Sequence, residues 1–153
     1  MEITRTLVRD KFNAFNEKYF GNKICDCVFR VANTHDYLGR FIDHNVIKPI
    51  LCVAKTDFYN NENGWEEDRL DNTIIHEMIH ALIYTRHGER PSIGCHGIEF
   101  RMISLGLFVK HGIWIGTGGV FDLIERKWSS LNMLEKIERI LLTPINWLLM
   151  FVL

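Results

Sequence analysis

The pentad His76-Glu77-Met78-Ile79-His80 sets two imidazoles four residues apart with a carboxylate beside the first. On an α-helix, positions i and i+4 share one face, so both rings can converge on one cation about 2 Å from each nitrogen. Glu77 is displaced from that face. It lies too far round to complete the same tetrahedron, but it can reach a metal-activated water and accept its proton. The chemistry implied is zinc-assisted hydrolysis. In a chain of 153 residues with 7 His, a histidine-glutamate pair followed three residues later by histidine arises by chance roughly 0.02 times, so the surroundings must decide its meaning.

A catalytic zinc has three protein ligands and one open position. The third is sought in His96-Gly97-Ile98-Glu99-Phe100-Arg101, which reads as the opening of another helix after a break at Gly88, Pro91 and Gly94. His96 is the leading candidate and Glu99, one turn further along the same face, is its competitor. The stretch between His80 and His96 is long enough for a helix end, a loop and a second helix that crosses back over the first.

The elements that must position these residues are legible nearby. No proline or glycine interrupts the chain from Leu70 to His87, and Ile75, Met78, Ile79, Leu82 and Ile83 recur at helical spacing as a buried stripe. Gly88 is the expected stop, after Arg86 and His87, whose charge suits the negative end of a helix dipole. Further upstream, a helix is expected from Ile3 to Phe20, with Leu7, Val8, Phe12, Phe15 and Tyr19 on its apolar face and Gly21-Asn22 ending it. Three strand-like stretches follow: Ile24 to Val31, with Cys25, Cys27, Phe29 and Val31 on one side, Tyr37 to Asp43, and Val46 to Ala54, the last two separated by a turn at His44-Asn45. Pro49 demotes the third strand toward an edge or a bulge. The order is that of an α+β, zincin-like fold: an N-terminal helix, a small three-stranded sheet, a metal-binding helix pair and a C-terminal helical extension. The sheet edge beside the metal helix could take up substrate as an added strand.

The run Asn72-Thr73-Ile74-Ile75-His76-Glu77-Met78-Ile79-His80-Ala81-Leu82 followed by His96-Gly97-Ile98-Glu99-Phe100 resembles the SprT-like zinc metalloproteases, the group containing Spartan. Residues Phe15 to Gly21 resemble that family's early helix end and Leu38-Gly39 a strand segment, so the likeness covers residues 5 to 110. It implies His76, His80 and His96 as zinc ligands, Glu77 as general base and Glu99 as a structural carboxylate near the site. It also implies a peptidase core over 1–110, with 111–153 an extension of the same globular unit. Nucleic acid enters as a partner through this resemblance alone. Cys25, Cys27, Cys52 and Cys95 contain no two-residue-spaced pair of the kind a zinc ribbon needs, and 18 basic against 19 acidic residues give a net charge of −1.

Other features get plainer readings. A chain 47% hydrophobic and 24% charged is the size of one globular domain with a real core. Unpatterned cysteines, and a start without a basic region and apolar run, point to a reducing cytoplasm. The acidic stretch from Lys55 to Leu70 could be a lid, but acids before a helix also complement its positive end, and that reading is preferred. His87 shares the metal face yet lies about 10 Å along the axis from His80, too far for the same ion. His35, His44, His111 and Tyr84 are all candidate donors to a transition-state oxyanion, and Cys95 reads as a buried small hydrophobe. Leu131 to Leu142 reads as an amphipathic helix and Ile145 to Leu153 is nearly all apolar. That tail is shorter than the ~20 residues of a membrane span, so core packing, a dimer contact and a membrane-surface anchor through Trp147 stand as its readings.

The expected activity is hydrolysis of a protein or peptide, with a metal-activated water attacking the scissile carbonyl and Glu77 moving the proton. The alternatives are a noncatalytic zinc-stabilised binding module, in which Glu99 or Cys95 fills the fourth position, and a repressor-cleaving or toxin-like zincin.

Overall fold

Helix α1 (Arg5–Phe20) begins where Thr4 Oγ1 accepts the Leu7 N–H at 3.1 Å and ends at Gly21, whose φ of 60° is the left-handed cap that glycine adopts without strain. The structure is a computed structural model that describes residues 1–43, 48–59, 64–88 and 96–116. The expected turn at His44-Asn45, Pro91, Gly94, Cys95, the Leu131 to Leu142 helix and the apolar tail lie outside the described residues. Residues Met1–Ile115 cluster as one compact unit.

After α1 come β1 (Val28–Ala32), β2 (Gly39–Ile42), β3 (Ile50–Ala54), α2 (Glu67–His87) and α3 (Ile98–His111). The class is α+β, with three helices and a three-stranded mixed sheet of order β1-β3-β2 among the described residues. β1 runs parallel to β3, and β2 antiparallel to it. The expectation that Pro49 would push the third strand to an edge is overturned, because β3 is the central strand and all five of its residues are buried. Pro49 stands just before the ladder rather than in it. There its carbonyl accepts the Val28 N–H at 2.8 Å, a role that needs no N–H of its own.

The first strand also starts later than its β-type sequence implies. Ile24 gives its N–H to Asn16 Oδ1 and its carbonyl to Asn16 Nδ2, both at 3.2 Å, and Cys25 N donates to Thr85 Oγ1 at 3.0 Å. With those groups bonded to helices, Ile24 and Cys25 are lost to the sheet, and pairing opens only at Val28. Asn16 belongs to the buried line Val8, Phe12, Asn16, Phe20 of α1, while Leu7, Phe15 and Tyr19 pack partly buried beside it.

Register puts Phe29, Leu51 and Phe41 in one row across the sheet on the face that meets the helices. Phe29 meets the Phe12 ring at 5.0 Å and Phe41 meets Tyr84 at 5.6 Å. Each such burial contributes about 1.5–3 kcal/mol. The next row on that face ends in Gly39, at the edge strand packed against α2. The expected α2 stripe of Ile75, Met78, Ile79, Leu82 and Ile83 is buried throughout. No helix among the described residues is long and apolar enough to cross a membrane.

Candidate metal centre

The helix that carries the pentad is anchored at its start. Glu67 and Asp68 occupy the first turn of α2, where acids complement the helix dipole, and Lys11 of α1 reaches Glu67 at 2.9 Å and Asp71 at 2.7 Å. Asp57, buried, holds Arg69 of the same turn through Nε at 2.6 Å and Nη2 at 3.2 Å. Trp65 donates its Nε1–H to the Ala54 carbonyl at 3.0 Å. The acidic segment is therefore tied to the sheet and to α2 at both of its described ends. At the other end Gly88 caps α2, its N–H donating to the Tyr84 carbonyl at 2.7 Å.

On this helix His76 and His80 share a face, their ring centroids 5.2 Å apart. His96 lies just before α3 and comes to 4.8 Å from His76 and 5.2 Å from His80. One nitrogen from each ring lies within 4.8 Å of the other two, and His96 Nε2 stands 2.9 Å from His76 Nε2. Two nitrogens bound to one tetrahedral zinc stand roughly 3.3 Å apart, given bonds of ~2.0–2.1 Å. Three converging imidazole nitrogens suit a divalent transition ion, so these residues fit a metal. Among the described residues, no carboxylate or thiol joins the cluster.

Glu77, only 6% exposed, packs one side of its side chain against the sheet. Its Oε1 and Cγ, with Thr73 Cγ2, fill the space beside Gly39 that any larger residue would need. Burial pushes the Cys52 thiol of β3 up from its ordinary pKa; Arg30 and Arg40 oppose that shift and the Glu77 carboxylate reinforces it.

Glu99, the competing ligand, is engaged elsewhere. Its Oε1 accepts from Arg86 Nη1 at 3.0 Å and its Oε2 meets His87 Nε2 at 2.9 Å, so it clamps the first turn of α3 to the last turn of α2. His87 accordingly pairs with a carboxylate rather than with the cluster. Of the oxyanion candidates, His35 packs on Phe58, and His111 meets Tyr19 at the end of α3 remote from His96, while Tyr84 lies one turn beyond His80 against Phe41. His44 is outside the described residues.

Two residues carry more of the site than sequence reasoning assigned them. Phe100 touches all three histidine rings, and Gly39 admits the Glu77 side chain. A glycine inside a short strand does signal close approach of a neighbour, but the signal names no partner.

The sequence model of the SprT-like family matches residues 8–111, which takes in both helices of the cluster, the sheet and most of α1. No curated protein matches the chain. With more than half of its length covered by that match, the chain belongs to the SprT-like family.

Proposed function

We propose that this protein is a zinc-dependent metallopeptidase in which His76, His80 and His96 hold the ion and Glu77 is the general base. The observation that carries this reading is the convergence of three imidazole nitrogens within 4.8 Å, with a buried glutamate adjoining one of them on the same helix. Membership of the SprT-like family is compatible with it. When bound, zinc would lower the pKa of a water toward ~7 and polarise a scissile carbonyl.

The chain's own groups do the rest. Glu77 takes a proton from the attacking water and returns it to the leaving amine. Gly39 and Thr73 wall its carboxylate on the sheet side, which limits the rotamers it can take. β2 lies at the sheet edge beside α2, and its outward backbone groups are suited to pair with an extended protein or peptide substrate. The engagement of Glu99 by Arg86 and His87 speaks against the noncatalytic alternative that uses this carboxylate as fourth ligand.

The test is elemental analysis joined to hydrolysis of a denatured protein. Wild type should carry one equivalent of zinc, Glu77→Gln should keep it and lose hydrolysis, and His80→Ala and His96→Ala should lose both. Wild-type turnover in Glu77→Gln would overturn the assignment.

A further inference from the structure

The Phe100 ring is 1% exposed, and its centroid lies 4.9 Å from that of His76, 4.8 Å from His80 and 4.6 Å from His96. The histidines are themselves 4.8–5.2 Å apart, so the four rings form a closed cluster in which every member touches every other. Three of its members are partly exposed imidazoles, and only the fourth is a fully buried, chemically inert ring. We propose that Phe100 is a positioning residue for the metal, a buried aromatic base that holds all three imidazoles in their converging orientation before the ion arrives.

Three physical effects lead to this assignment. A planar ring in contact with three others restricts their rotation about χ2, so less conformational entropy is lost when an ion binds. An apolar wall excludes water on one side of the ligands, and the hydrophobic shell around a metal site sets its solvent access and local dielectric. The π face of the ring, the negative end of its quadrupole, also adds a favourable electrostatic contact to ligands that share a cation's charge. Phe100 can act this way because its own position is set from two directions. It sits in the first turn of α3, where neighbouring Glu99 is clamped to Arg86 and His87, and on the buried face it shares with Ser104 and Leu107.

This inference rests on the zinc reading above, and its test separates the two. The dissociation constant for Zn²⁺ is measured by competition with a chromophoric chelator, and the melting temperature of the metal-free protein is measured in excess chelator. Three proteins are compared: wild type, Phe100→Leu, and Leu107→Ala, which removes core volume from the same face of α3 away from the histidines. Phe100→Leu should weaken zinc binding roughly tenfold or more. Leu107→Ala should lower the metal-free melting temperature while changing zinc affinity less than about threefold. A change under about threefold in Phe100→Leu overturns the proposal, as does an equal weakening in both variants, which would reduce Phe100 to ordinary core. Should Phe100→Leu not fold, Phe100→Met, unbranched and adaptable in packing but likewise without a planar ring, is read by the same thresholds. A wild-type protein that binds no zinc overturns the zinc reading itself, and this inference with it.

Discussion

Gly39 faces Glu77 so closely that a methyl group on it would stand 2.8 Å from Glu77 Oε1, 2.9 Å from its Cγ and 2.7 Å from Thr73 Cγ2. Two of those three atoms are not flexible tips, so the neighbours cannot yield cheaply. Gly39→Ala should therefore displace the Glu77 side chain, cost about 1–3 kcal/mol of stability through overpacking, and cut turnover more than tenfold with zinc content unchanged. Turnover, metal content and chemical denaturation measured together check this. Normal turnover in a folded Gly39→Ala protein would show that the glycine matters for packing alone.

The Glu99 clamp offers a sharper test of who binds the metal. Both of its ion pairs are a third to a half exposed, so each contributes about 0–1 kcal/mol. Glu99→Ala should melt only slightly lower and keep one equivalent of zinc, with affinity reduced a few-fold because the start of α3 is held less firmly. Complete loss of zinc in this variant would make Glu99 a ligand and would contradict the three-histidine site.

Asn16 replaces a stretch of sheet pairing with a side chain. Its amide satisfies both the N–H and the carbonyl of Ile24, in a buried position. Asn16→Ala would leave two backbone groups without partners and should destabilise the protein by about 2–4 kcal/mol, read from urea denaturation. A loss below about 0.5 kcal/mol would mean that other groups or water take over these bonds.

Cys27 gives the protein an alkaline limit. Burial, first, and then the nearby Cys25 and Asp26 charges push its thiol from 9.0 up to about 12. A group whose pKa is raised on folding contributes stability below its unfolded pKa, and that contribution is lost as pH rises from about 9 toward 12. The melting temperature should thus fall between pH 8 and pH 10.5, and Cys27→Ala should show a shallower fall. The native thiol should also resist alkylation at pH 8, since the thiolate is the reactive form. Parallel pH profiles for the two proteins would remove Cys27 as the cause.

What the sequence by itself determined was local. The His76, Glu77 and His80 spacing, the apolar stripe of α2, its stop at Gly88 and the end of α1 at Gly21 are all short-range patterns, and a helix imposes them over a few residues. His96 was within reach because the motif around Gly97 and Phe100 is also contiguous. Tertiary structure decided the rest, because it depends on which distant segments meet. The central position of β3 follows from its pairing with both β1 and β2, and no local preference of Pro49 could reveal that Val28 would bond to its carbonyl. Sending Glu99 to Arg86 and His87, bringing Gly39 against Glu77 and closing Phe100 over three imidazoles are likewise choices made between elements. Side-chain chemistry names the candidates, and only packing selects among them, because burial leaves room for one arrangement at a time.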